Sequence, residues 1–478
     1  MERRRAEREV VEAARNRVVT DELSALVERI DQLERELSLT KRRLETVDSA
    51  NRLLRKSLAR HEAAAAKRAK TLDSQLAALR LDRQLLALPR WGARKVMPGR
   101  RTPRHVAIIC PAYPGGPTSY GGEFVRARVR LYRERGWEVT VIVPARAAAE
   151  RTRYLHEGTP VIRTSLDDLL GVLDETSFDL LAVHHLLPAT WEVIRSLRYE
   201  IPIAVWVHGY EARSWRELEF NYTSTEIAEK RKTFDALDVA KRETMAEIFP
   251  DERIDKVFVS AFMRGIAERF AGVSATRAQV IPNVIDERTF AYQRKAAEDR
   301  RRILWVRSFA KRNYANDLAR DAILQLSRRP NFRDLRVTIA GDGELFDECT
   351  GPLRELSNVT VERGFVSTER MVEFHRTHGV MLVPTRWDSQ GLTCGEAMSS
   401  GLVPVTNAVA AIPEFVPEEA GMLCPPEDAG ALADAITALQ ADPQLFLSKS
   451  STASHAVREK CGIARTVDRE LALLKART

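Results

Sequence analysis

Two acids eight residues apart, Asp388 and Glu396, stand in a stretch suited to a phosphate-bearing ligand. Such a ligand asks for free backbone N–H groups to hold its diphosphate. A helix opening near Thr393 supplies them, because the first N–H groups of a helix have no partner within it. Glu396 also has a plainer reading. Thr393-x-x-Glu396 is a capping box, in which the acid only bonds the start of its own helix. Asp388 then reads as a solvated loop acid. Upstream, Arg307 with Lys311 and Arg312 are either plain surface basic residues or fixed cations able to stabilise negative charge on a phosphate group. Remaining candidates for chemistry are His208 and the pair Gly121-Gly122.

The elements around these residues follow one plan. Val380 to Val383 is an apolar run bounded by Pro384, a buried strand of parallel-sheet type. A polar loop, Thr385 to Gly391, leads into a helix from about Thr393 to Ser400, stopped by Gly401. A second apolar strand, Leu402 to Val405, follows. The chain opens the same way nearer its start. His105 to Pro111 reads as a buried strand, followed by a glycine-containing loop, Ala112 to Tyr120. Gly121-Gly122 then opens a helix, Glu123 to Arg135, and Glu138 to Val143 is the next strand, giving a βαβ unit. The spacing is not G-x-G-x-x-G, so a dinucleotide fingerprint is not supported, and the paired glycines also fit a plain tight turn.

Leu180 to His184 and Ile203 to Val207 are further strands, ending in His184-His185 and in His208-Gly209-Tyr210-Glu211. Both ends fall on one sheet edge, where ligands bind. His208 is either an active-site residue or a satisfied structural histidine, and no third ligand stands at a recognised metal spacing. Glu211 to Phe234 carries Trp215, Phe220 and Tyr222 among Arg213, Arg216 and Lys230. It reads as a surface loop or short helix over a cleft and a candidate acceptor site. Ile303 to Val306 is a strand running into Arg307, and Leu335 to Ala340 is another, followed by Gly341-Asp342-Gly343. The last helix is expected from about Val457 to Leu474.

The amino-terminal part is of another kind. From Leu23 to Leu58 apolar residues step by three and four, with Leu23, Ile30, Leu37, Leu44, Asn51 and Leu58 on one heptad position. That period predicts a coiled coil, and Asn51 on the seam fits a parallel homodimer in fixed register. The alternative is a single helix folded onto its own chain. Residues 51–100 hold 13 Lys and Arg against 3 acids, whereas the whole chain nets +8, so the basic character belongs to this segment. Beside Leu85, Leu86, Leu88 and Trp91 it can meet an anionic membrane face, or it is a solvated basic helix. Nucleic-acid binding lacks support, since the run has no aromatic platform and no reading motif. Lys95 to Arg104 has the look of a linker.

The stretch Asp388-Ser-Gln-Gly391-Leu392-Thr-Cys-Gly-Glu396-Ala397-Met398-Ser-Ser-Gly401-Leu-Val-Pro404-Val405 resembles the signature E-G-F-G-L-x-x-x-E-A-M-x-x-G-x-P-V of GT4-type glycosyltransferases, which have the GT-B fold. The resemblance covers about residues 104–478. It implies that Glu396 binds the ribose of a donor nucleotide and Asp388 contacts the donor sugar. Backbone at Gly391, Leu392 and Thr393 would face the pyrophosphate. By the same resemblance Arg307, with Arg312 or Lys311, faces the diphosphate. Gly121 and Gly122 admit the donor phosphate, His208 meets the sugar from the opposite domain, and the loop at Val366 holds the base. The departures are Asp for the first Glu and Ser389-Gln390 for Gly-Phe. No DxD occurs in the sequence, which argues against the metal-dependent GT-A class.

The expected architecture is α/β, two Rossmann-like domains facing a cleft, preceded by a long α-helical coiled coil. The boundaries are 1–94 for the coiled coil, 95–103 for the linker, 104–285 for the first domain, 286–455 for the second, and 456–478 for a helix crossing back. By the same resemblance, the expected activity is retaining transfer from a nucleotide sugar to a glycan or lipid-linked acceptor, without metal or cofactor, in surface polysaccharide or glycolipid assembly. The alternatives are another GT-B-type enzyme, an epimerase or phosphorylase, and a non-catalytic coiled-coil scaffold. No run of about 18 uncharged apolar residues occurs, and the first residues lack an apolar signal core. The five scattered cysteines form no CxxC pair. These features lead to the expectation of a cytoplasmic protein, peripheral on the inner face of the membrane where the basic segment touches it.

Overall fold

A computed structural model of the chain describes residues 104–115, 121–145, 151–197 and 200–477. These residues belong to one compact unit, Arg94–Thr478. The heptad segment 23–58, the basic segment 51–100 and the linker 95–103 lie outside the described residues.

The first domain is built on eight strands: β1 (His105–Ile109), β2 (Glu138–Pro144), β3 (Thr152–His156), β4 (Thr159–Thr164), β5 (Leu180–His184), β6 (Ile203–Val207), β7 (Ile254–Phe258) and β8 (Ala278–Val280). Their order is β3-β4-β2-β1-β5-β6-β7-β8. All neighbours are parallel except the hairpin β3–β4, which the sequence reading did not anticipate. Strands β1 and β5 are buried throughout and, apart from His105 and His184, apolar, as a sheet covered on both faces requires. Helix α1 (Glu123–Glu134) crosses from β1 to β2.

A larger departure lies after β6. Residues 211–234 were expected to be a loop or short helix. They form 3-10 turns over Tyr210–Ala212 and Trp215–Asn221, and then the long helix α2 (Ser224–Ile248). The start of α2 is a capping box: Thr223 Oγ1 accepts the Glu226 N–H at 3.2 Å while the Glu226 carboxylate accepts the Thr223 N–H at 2.9 Å. Helix α3 (Ala261–Ala271) follows β7.

The second domain has six parallel strands: β9 (Arg302–Val306), β10 (Arg336–Gly341), β11 (Val359–Arg363), β12 (Val380–Leu382), β13 (Val403–Asn407) and β14 (Met422–Cys424). They are ordered β11-β10-β9-β12-β13-β14. Helix α4 (Leu392–Ser399) lies between β12 and β13. The last helix is not continuous from Val457. It breaks at Gly462 into α5 (Pro443–Cys461) and α6 (Ile463–Lys475). The break separates two allegiances: Val457 and Cys461 pack in the second domain, whereas Ile463, Val467, Leu471 and Leu474 join the core of the first.

Among the described residues no helix is long and apolar enough to cross a membrane. The two domains touch beside the cleft. Glu414 accepts the first N–H groups of α3, from Ala261 at 3.0 Å and Phe262 at 2.6 Å. Asn221 accepts the Asn313 N–H at 2.8 Å.

Candidate active site

In the second sheet β9 and β12 are neighbours although two strands separate them in sequence, and the chain builds outward from them in opposite directions. At such a switch point a crevice opens beyond the carboxyl ends of the strands. Strand β9 leads into Arg307 and β12 leads into the loop with Asp388. Arg307 is buried, with Nη2 3.6 Å from Asp388 Oδ2 and its guanidinium 4.7 Å from the centre of the Tyr314 ring. Its Nε–H is buried without a protein partner, a donor left over for an anion. The glycine turn after β10 presses on this strand end. At Gly341, φ is +147° and a β-carbon would stand 2.0 Å from the Arg307 carbonyl oxygen, so a side chain there displaces Arg307.

The helix after β12 starts differently from the capping-box expectation. Its N-cap is Gly391, and no side chain caps it. Asp388 Oδ1 instead accepts the N–H groups of Gln390 at 3.1 Å and Gly391 at 2.8 Å, one turn upstream. Glu396 is therefore free of the cap. With Leu392, Gly121, Gly122 and Glu123 it lines a cavity of about 660 Å³ between the two domains. Burial, and then Glu123 nearby, push the Glu396 carboxyl up to about 8, against the pull of Arg307.

The first-domain wall is built on the same principle, since β1 and β5 are also neighbours at a switch point. Gly122, at φ +80°, is the N-cap of α1. His208 follows β6 and is buried, its Nε2 3.0 Å from His184 Nδ1. Phe124 of α1 packs on it at 4.7 Å between ring centres. Burial, with His185, His184 and Arg128 adding to it, holds the His208 ring well below the usual histidine range, so it is neutral. The sequence places the fully buried Glu211 at this strand end but gives it no role. Its carboxylate accepts the backbone N–H groups of His208 at 2.6 Å and Gly209 at 3.2 Å, and meets His185 Nδ1 at 3.0 Å. Burial would raise its carboxyl, yet His185 and the His208 N–H hold it below the usual range. The signal available was an acid three residues beyond the histidine at a strand end.

Trp387, next to Asp388, lies so close to Gly209 that a β-carbon there would stand 3.0 Å from the indole. Arg213 packs on the other part of this contact, 4.8 Å from the Trp387 ring centre. The loop with Asp388 and the strand end with His208 thus adjoin. Thr393 is half-buried on the first turn of α4, and Val366 is half-buried against the cluster holding Cys394 and Met398. Lys311 and Arg312 are exposed, and their side chains have no hydrogen-bond or ion-pair partner among the described residues.

Two Rossmann-like domains whose switch points face a common cavity define the GT-B class of fold. Comparison with known proteins agrees: a model described as "Glycosyltransferase Family 4" matches residues 121–289, and "Glycosyl transferases group 1" matches residues 300–442. The chain belongs to this family, and it is a glycosyltransferase that uses a nucleotide sugar. Among solved structures it is similar to sucrose-phosphate synthase from Thermosynechococcus elongatus, with TM-score 0.61 and 18% identity over 78% of this chain and 98% of that one. It is also similar to HepE from Anabaena, in complex with UDP and glucose, at TM-score 0.58 and 14% identity, covering 78% and 100%. A third, WaaG, a glycosyltransferase of lipopolysaccharide biosynthesis, gives TM-score 0.57 and 13% identity, covering 77% and 99%. No protein of curated function matches the sequence.

Proposed function

We propose that the chain transfers a sugar, with retention at the anomeric carbon, from a uridine-type nucleotide sugar to a hydroxyl of a glycan or lipid-linked acceptor of the cell surface. One observation carries this reading: the cavity that joins Glu396 and Leu392 of one wall to Gly121 and Gly122 of the other. Glu396 accepts from the ribose hydroxyls. The uncapped N–H groups of α4 and the Arg307 fork hold the diphosphate, and Lys311 and Arg312 reach it as the domains close. Asp388 and His208 contact the sugar from opposite sides. The bond from the anomeric carbon to the phosphate oxygen breaks, and the acceptor oxygen bonds the same carbon on the same face. The acceptor proton passes to the departing phosphate. Retention and the surface acceptor rest on family likeness, and uridine on the HepE complexes with UDP and UDP-glucose.

Protein cations and helix N–H groups meet the charge of the leaving diphosphate, so transfer needs no metal. We also propose a parallel homodimer through residues 23–58 and peripheral contact with anionic membrane through residues 51–100. The test of the reaction is hydrolysis of UDP-glucose, UDP-N-acetylglucosamine, GDP-mannose and ADP-glucose in excess chelator, with Glu396→Ala as control. The expected result is turnover of a UDP-sugar, with nucleotide binding lost in the control while its melting temperature without nucleotide is kept. A protein whose melting temperature responds to none of UDP, GDP and ADP would overturn the reading.

A further inference from the structure

The donor loop is tied to the segment that joins the two domains. Gln390 is 3% exposed although it sits in a polar loop. Its carboxamide oxygen accepts the backbone N–H of Asn283 at 2.7 Å, and its Nε2 donates to the Asn283 carbonyl at 2.9 Å. Nε2 also lies 3.7 Å from Cys461 Sγ. Asn283 follows β8 in the stretch that leaves the first domain, and its own side chain accepts from Arg128 Nη2 of α1 at 3.3 Å. Arg128 is in turn fully buried against Glu470 of α6. On the loop side, the N–H of Gln390 is one of the two that hold the Asp388 carboxylate.

We propose that Gln390 is a positioning residue whose two-bond grip on the Asn283 backbone sets where Asp388 and Arg307 stand relative to the wall bearing His208. A primary amide satisfies a backbone N–H and C=O together because it presents one acceptor and one donor in a single plane. Asparagine is a methylene too short, and a thioether fills the space but leaves both backbone groups unpaired. The joining segment must adjust when the cleft opens and closes, and the grip makes the sugar-facing acid move with it. Glu396, held by the body of α4, keeps its place without it. Displacement of the reacting groups by about 1 Å costs on the order of a hundredfold in rate. Loss of the grip therefore lowers turnover far more than nucleotide affinity.

This inference rests on the transferase reading, and the experiment separates the two. The full chain is compared with Gln390→Met and Gln390→Glu. Release of nucleotide from UDP-glucose, GDP-mannose and ADP-glucose, binding of UDP, GDP and ADP, and amide exchange of the peptides spanning 278–286 and 386–395 are followed. Gln390→Met should turn over at least about tenfold more slowly than wild type, with nucleotide affinity within about threefold, and should lose exchange protection at Asn283. Gln390→Glu supplies the decisive readout. Burial raises its carboxyl, and once protonated it both accepts from the Asn283 N–H and donates to its carbonyl. Its rate relative to wild type at the same pH, and its protection at Asn283, should recover from about pH 8.5 to about pH 5.5. Wild-type turnover by Gln390→Met would overturn the proposal, as would a Gln390→Glu ratio that is flat with pH or an equal loss of affinity and turnover. If the wild type binds none of UDP, GDP and ADP, the transferase reading fails on that result, while the exchange arm still decides whether the grip exists.

Discussion

Glu396 is asked to be two things. Its burial beside Glu123 favours the neutral acid, at about 8, while a ribose presenting hydroxyl donors favours the carboxylate. Between the ordinary glutamate value and about 8, the folded chain binds a proton that the unfolded chain lacks. This site's contribution to stability is thus full in acid and is lost as pH rises through about 8. Nucleotide binding should run the opposite way. UDP affinity should rise from about pH 6 to about pH 9, with a proton released, read by calorimetry in buffers of different ionisation enthalpy. Glu396→Gln should flatten that dependence and weaken binding at high pH by about tenfold to a hundredfold, the worth of a hydrogen bond to a charged group. Arg307 has a different task. Lysine there keeps the charge but loses the planar fork and the packing on Tyr314. Arg307→Lys should lower turnover by about a hundredfold in steady-state assays, with an unchanged melting temperature.

At the scale of elements, α6 is the strap that closes the molecule on itself. Glu470 on α6 is fully buried and accepts from Arg128 at 2.8 Å, Tyr132 at 2.8 Å and Trp206 at 3.0 Å, all in the first domain. A buried pair stripped of one partner leaves an uncompensated charge, so Glu470→Ala should destabilise the chain by about 3–5 kcal/mol in urea unfolding. Arg128→Met with Glu470→Leu should recover only part of that loss, since the unpaired charge is gone while the Tyr132 hydroxyl and the Trp206 indole N–H lose their acceptor. The pattern of apolar runs had already located the strands through β1, β5, β6, β9 and β12, because buried parallel strands read as unbroken hydrophobic runs. Three features escaped. The hairpin β3–β4 is half-exposed and carries Arg and His within its run, Thr152 to His156, so no apolar signal marks it. Helix α2 has a polar surface and few buried residues, although its capping box at Thr223 and Glu226 was legible. The break at Gly462 was hidden inside a helical pattern that continues on both sides. In the site, residue types were legible but partners were not. Sequence spacing shows that Thr393 and Glu396 can form a box, yet only the fold shows that Asp388 has taken the loop's N–H groups and Glu396 faces a cavity.

The whole molecule joins two units of opposite character. Residues 101–478 carry nearly balanced charge, whereas residues 51–100 hold 13 basic and 3 acidic side chains. An acceptor anchored in lipid would be reached from a surface-bound enzyme without long-range attraction from the catalytic unit, so the basic segment is the part suited to hold it there. Attraction of that kind contributes about 1 kcal/mol per Lys or Arg near an anionic surface and is screened within roughly 8 Å at physiological salt. The full chain should therefore sediment with vesicles containing phosphatidylserine at low ionic strength, be released as salt is raised, and ignore vesicles of phosphatidylcholine alone. Residues 94–478 form a compact unit of their own. Produced without the preceding segment, this unit should lose both vesicle binding and the dimer mass in light scattering while keeping its affinity for UDP. The three readouts separate the tasks. Vesicle binding that survives the deletion would place the membrane contact on the catalytic unit, and a dimer that survives it would take self-association away from the heptads. Loss of UDP affinity in a folded unit would instead mean that the amino-terminal segment helps to build the cleft.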